Sequence, residues 1–217
     1  MVKKSKRPAL SRARVLRTAL RLADKSGLES LSMRKLASEL KVEAMSLYNH
    51  VANKDDILDG LVELVVAKIE PPSLDVDWRV ALRERAHSAY AALSRHPWAT
   101  LLFMSRVNIG PKMLHYVDAT LGCLLQAGFT HAEADHAWNA VDNHIYGFTL
   151  QEQNFPFEPG DYAAVAKQYL DLIPAQEYPA LNALTHEVIE GRHAGVHDLD
   201  FGLDLILEGL ERLRKGR

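Results

Sequence analysis

The chain has 217 residues, 47% of them hydrophobic and 25% charged, enough for a sizeable core in one or two domains. No uncharged apolar run reaches the ~18 residues of a membrane span, and Arg12, Arg14, Arg17 and Arg21 interrupt any apolar signal segment, so neither a membrane partner nor export is expected. The net charge of −2 is unevenly spread: residues 1–54 hold thirteen Lys or Arg against four acids, a net +9, leaving −11 on the rest and predicting a polyanionic partner for the first segment.

The elements read almost entirely as helix. Residues 1–10 form a basic arm. Ser11 is placed to cap a helix to about Lys25, with Val15, Leu16, Ala19, Leu20 and Ala23 on one side and Gly27 at its end. Ser32 caps the next helix, which carries Met33, Leu36, Ala37 and Leu40. Lys41 and Val42 make a tight link, and Glu43 opens a short segment. Asn53 then caps a helix from Lys54 to about Ile69, with Asp55 and Asp56 favouring its positive end. Pro71-Pro72 stops it, which sets the expected domain boundary between 1–70 and 71–217.

The short segment, "SLYNHV", is too brief to be stable alone. Leu47 and Val51 anchor it to the two helices before it, while Ser46, Tyr48, Asn49 and His50 load the remainder with hydrogen-bonding groups. Two helices joined by a tight turn, the second kept short, make a helix-turn-helix. Its outer face would enter a major groove about 12 Å wide, where Ser, Tyr and His meet phosphates and Asn pairs with an adenine edge.

Residues 27–61, "GLESLSMRKLASELKVEAMSLYNHVANKDDILDGL", resemble the DNA-binding domain of the tetracycline-repressor family of bacterial regulators. The resemblance implies that Ala44, Met45, Ser46, Tyr48 and Asn49 face bases or backbone. It further implies that Tyr48, His50 and Lys54 hold phosphates, with Ser32 and Arg34 at the start of the second helix. Ala44 and Met45 depart from the polar residues frequent in relatives. Apolar contact with thymine methyls would replace a base-edge hydrogen bond there.

Further amphipathic helices are expected over about 77–95, 98–108, 111–127, 131–153, 160–172, 176–191 and 199–215. The lone cysteine, Cys123, falls in the apolar face of the third of these, where it reads as core packing; with no second thiol for a disulfide, a reducing, cytoplasmic setting is expected. Ala134, Trp138, Val141, Ile145 and Phe148 step by fours and threes, as do Leu199, Leu203, Ile206, Leu210 and Leu213. Such seams pack a helix along another at a shallow angle and serve either the chain's own core or a partner. The resemblance, which extends weakly through residues 127–153, favours a homodimer joined by a four-helix bundle. Ala134, Trp138, Val141, Ile145, Leu203, Ile206, Leu210 and Leu213 are its expected interface.

Three pairs, Glu84 with His87, Glu133 with His136 and Glu190 with His193, match the Glu-x-x-His spacing of a di-metal carboxylate enzyme. Such a site also requires two bridging glutamates facing inward from two further helices, and the sequence pattern does not place them. No catalytic triad and no glycine-rich phosphate loop occurs, so neither catalysis nor a cofactor is expected. A constitutive DNA-binding repressor is a third reading, but some 145 residues exceed what dimerisation needs. Helical bundles place ligand sites between helices. Phe103, Met104, His115, Trp138, Asn139, Asp142 and Tyr146 are the candidates for a small-molecule effector. Residues 101–111, "LLFMSRVNIGP", lack the family's chelating histidine, so the resemblance does not carry tetracycline over as that effector. The expectation is an all-helical, homodimeric, ligand-responsive repressor binding a palindromic double-stranded DNA operator.

Overall fold

The computed structural model describes residues 9–194 and 198–216; most of the basic arm, residues 1–8, lies outside them. These residues form eleven α-helices and no strand. Helix α1 (Arg12–Ser26) is capped by Ser11, whose hydroxyl accepts from the Arg14 amide, and ends at Gly27 with φ 71°. Helix α2 (Met33–Leu40) is capped in the same way by Ser32. Its end is unusual: Lys41, not glycine, takes the left-handed conformation with φ 57°. The strain is compensated where the Lys41 and Val42 amides close back on Ser38 and Ala37 carbonyls. That reversal delivers α3 (Ala44–Leu47), a single turn, whose Leu47 is wholly buried.

Helix α4 (Lys54–Val66) is capped by Asn53 and carries Asp55 and Asp56 in its first turn. Regular helix ends at Val66, three residues short of the expected Ile69. Lys68 and Ile69 donate instead to carbonyls three residues back, a tightened last turn before the prolines. Gly60 lets α1 come close, since a Cβ there would sit 2.5 Å from Leu16 Cδ2.

The second domain comprises α5 (Trp78–Arg95), α6 (Ala99–Ser105), α7 (Pro111–Gln126), α8 (His131–Gln153), α9 (Tyr162–Tyr169), α10 (Pro179–Ile189) and α11 (Leu199–Lys215). The central helix, α8, packs on α5, α7 and α11. This settles which way the two seams point. Ala134, Val141, Ile145 and Leu203 are wholly buried within one chain, so they are core and not the expected dimer interface. Periodicity marks a buried stripe without saying whose surface buries it. Trp138, Ile206 and Leu210 remain half-buried and Leu213 is exposed. What α8 and α11 turn outward is another stripe: Ala140, Asn143 and Gly147 on one, Phe201, Leu205 and Gly209 on the other. Phe201 is 68% and Leu205 60% exposed. Helices α9 and α10 pack chiefly on each other.

Candidate DNA-reading face and effector site

The nine side chains expected at DNA lie on the outside of one unit. Ser32, Arg34, Met45, Tyr48, Asn49 and Lys54 are exposed, while Ala44, Ser46 and His50 are half-exposed. Met45, 76% exposed, is an apolar side chain that the fold itself does not use. Ser32 Oγ accepts from the Lys35 amide at 3.2 Å, which leaves its hydroxyl proton to donate to a phosphate. Arg34 and Lys54 make no ion pair among the described residues. Leu47 and Val51 fix this turn from beneath.

The reading unit is tied to the second domain along α4. Arg106, after α6, reaches Asp59 at 2.8 Å and Asp55 at 3.1 Å. One turn on, the Glu63 carboxylate accepts from the Lys112 and Met113 amides at 2.9 and 3.0 Å, at the first turn of α7. Gly110 makes room for it: a Cβ there would lie 2.3 Å from Glu63 Cδ. At the far end, Lys68 Nζ meets His96 Nε2 at 2.7 Å, and His96 Nδ1 meets Asp24 of α1 at 2.6 Å. Lysine has no acceptor to offer, so Nε2 accepts and Nδ1 carries the proton to Asp24. Trp98 Nε1 donates to the same carboxylate. Glu63→Ala is expected to cost about 1.5–3 kcal/mol, the usual worth of charged hydrogen bonds. It should also speed amide exchange at positions 112 and 113 at least ~10-fold. Unchanged exchange at both amides would show that the clamp is absent in solution.

A charged cluster lies at the centre of the second domain. Arg85 of α5 is 1% exposed and pairs with Asp142 of α8. Its Nη2 also donates to Tyr116 Oη at 2.8 Å, and its guanidinium lies 4.8 Å from the centre of the Tyr116 ring. Asp142 further accepts from Trp138 Nε1 at 2.8 Å, Tyr146 Oη at 3.0 Å and Tyr116 Oη at 3.2 Å. Burial pushes both phenols well above their ordinary range, and the neighbouring Asp142 adds to this, so they stay protonated donors. Burial opposes the Arg85 charge, but the Asp142 carboxylate beside it favours the charged form, and the net direction is upward. Phe103 packs edge-on to Tyr146, with centroids 6.2 Å apart.

Two open spaces flank this core. A groove of about 660 Å³ runs past Leu114, His115, Val117, Leu121 and Trp138. A larger cleft of about 880 Å³ lies between α8, α10 and the start of α11, bounded by Gly147, Phe148, Leu184 and Phe201.

The model for bacterial regulatory proteins of the tetR family matches residues 15–61, and that for the tetracyclin repressor-like C-terminal domain matches residues 70–214. The chain belongs to the tetR family. Among this regulator's relatives, the HTH-type transcriptional repressor DrrR1 of Streptomyces coeruleorubidus is 31% identical, across 95% of this chain and 79% of that protein. Tetracycline repressor protein class C of Escherichia coli is also 31% identical, across 94% and 92%. The crystal structure of ActR from Streptomyces coelicolor in complex with actinorhodin superposes with a TM-score of 0.83 at 27% identity, covering 96% of this chain and 99% of that one.

In this regulator the effector candidates divide. Phe103, Trp138, Asp142 and Tyr146 come together around Arg85, with His115 beside Trp138 on the groove side. Met104 is exposed and Asn139 is turned outward, bonded to its own helix at Asp135, so neither joins that cluster. Arg85 and Tyr116 escaped the sequence reading. Arg85 stands in "LRERAHS", which looks like a solvated charge run, and only its fit into an apolar i, i+3, i+4 stripe with Leu82, Ala86 and Ala89 could have flagged it. The Glu-x-x-His pairs do not converge. Glu84, His87, His136, Glu190 and His193 are exposed and Glu133 is spent capping α8 with Thr130. Among the described residues no group of three or more His, Cys, Asp or Glu is placed to hold a metal, and no helix is long and apolar enough to cross a membrane.

Proposed function

We propose that this chain is a homodimeric repressor whose paired α3 turns read a near-palindromic operator and whose second domain binds a small molecule that releases it. The observation that carries this reading is the clamp on α4. One helix holds the DNA-reading turn at its start and, through Asp55, Asp59 and Glu63, the α6–α7 corner of the effector domain along its length. A ligand that favours a different placement of that corner would shift α4 and with it the spacing of the two reading turns. The names of relatives point the same way: DrrR1 is called a repressor, and ActR is seen with actinorhodin bound.

In this reading Met45, Ala44 and Asn49 meet base edges, Ser46 lies against base or backbone, and Ser32, Arg34, Tyr48, His50 and Lys54 hold phosphates. The partner docks on the outer stripe of α8 and α11. Gly147 and Gly209 support that choice, because a Cβ at either would touch nothing in its own chain. Their smallness serves no packing need of the protomer and leaves room for another helix to approach.

Selection of bound duplexes from a random pool should return half-sites about 34–36 Å apart, one DNA turn, or a wider multiple. With the selected duplex, Lys54→Ala should weaken binding to all sequences alike and reduce the salt slope by about one. Met45→Ala should instead change base preference, by roughly 1–3 kcal/mol at one position. A footprint over a single, non-repeated half-site would overturn the reading, as would Met45→Ala leaving every base preference intact.

A further inference from the structure

Arg85 and Asp142 are unequally satisfied. Asp142 accepts from four groups: Arg85, Tyr116, Trp138 and Tyr146. Arg85 offers five N–H bonds, yet only Nη2 is engaged, and its Nε and Nη1 have no partner in the protein although both are buried. Asp142 would therefore keep three donors if Arg85 were shared, while Arg85 has donors to spare. The Tyr116 ring beneath the guanidinium steadies its plane.

The surroundings suit a flat apolar body. Phe103, Tyr146 and Trp138 supply ring faces and edges around the pair. Trp138 also borders the outer groove, so the same side chain that donates to Asp142 forms part of a surface open to solvent.

We propose that the effector is an aromatic acid, and that Arg85 binds its anionic oxygens while the surrounding rings hold its apolar body. This rests on the effector-responsive reading above and adds the chemical class. Either two-pronged edge of the guanidinium uses the Nη2 already given to Asp142 and Tyr116, so an anionic oxygen meets the spare Nε and Nη1 donors singly, in charge-assisted bonds stronger than a neutral amide makes. The aromatic rings contribute apolar contact to acid and amide alike, so the difference between them isolates the anion.

The test is calorimetric titration of the full-length protein with 2-naphthoate and, separately, with its neutral counterpart 2-naphthamide. The acid is expected to bind at least ~10-fold tighter, a preference that charged hydrogen bonding at one buried site can supply. Arg85→Lys should keep part of that preference and Arg85→Gln should erase it. Should either variant fail to fold, the comparison on the wild-type protein stands alone. Equal affinity for acid and amide overturns the proposal, and so does the absence of binding by either at millimolar concentration. An acid preference that survives in folded Arg85→Gln overturns it too. None of these results touches operator binding by the unliganded protein, whose loss would refute the repressor reading instead.

Discussion

Phe201→Glu combined with Leu205→Glu is expected to leave a folded monomer whose operator affinity is lower by about 10²–10⁴-fold, the usual gain from engaging two sites at once. Both side chains are mostly exposed in the single chain, so their replacement removes little from its own core. On a self-complementary two-fold interface each charge is introduced twice, close to its own copy, which makes the repulsion large for a small change in sequence. Leu203→Glu is the contrasting control. That side chain is wholly buried, and a carboxylate there should unfold the second domain instead of splitting a dimer. Sedimentation at micromolar concentration separates the two cases, and titration of the selected operator reads the loss of affinity. A double variant that still sediments as a dimer would move the interface off this face.

Asp142→Ala is the other large effect. It leaves the buried Arg85 without its counter-ion and removes the common acceptor of Tyr116, Tyr146 and Trp138. Breaking a buried pair from one side costs about 3–5 kcal/mol, a large share of the ~5–15 kcal/mol that folded proteins hold in reserve. For a chain of this size that corresponds to a fall in Tm of roughly 6–20 °C. Asp142→Asn keeps the shape and one acceptor oxygen and should cost less. Thermal unfolding of the two variants tests the order. A loss below about 1 kcal/mol for Asp142→Ala would mean that water enters and replaces the carboxylate, and that the cluster does not act as one unit.

The helix-turn-helix was legible because its signals are local. Ser11, Ser32 and Asn53 each cap within three residues, and Leu47 and Val51 needed only a short stretch to betray an anchored turn. The buried charged cluster depended on distant pairs. Arg85 and Asp142 are 57 residues apart, and no pattern within α5 announces which buried partner awaits it. The dimer face failed for a different reason. Ala134, Val141 and Ile145 repeat as an interface would, but α5, α7 and α11 of the same chain already cover them. The stripe that α8 and α11 leave facing outward is marked by an absence: Gly147 and Gly209 stand where larger residues would fit.

The contact between Glu63 and the start of α7 is made to main-chain N–H groups, which every residue except proline supplies. A mutational scan of the α6–α7 corner would accordingly find Lys112 and Met113 replaceable as far as this contact is concerned, and the corner would look inert. Sensitivity should appear only at Glu63, which provides the acceptor, and at Gly110, where any added carbon collides with it. Variation in how tightly related sequences join their two halves would then be written at a single acidic position and a single missing side chain, with the residues that actually receive the bond free to drift.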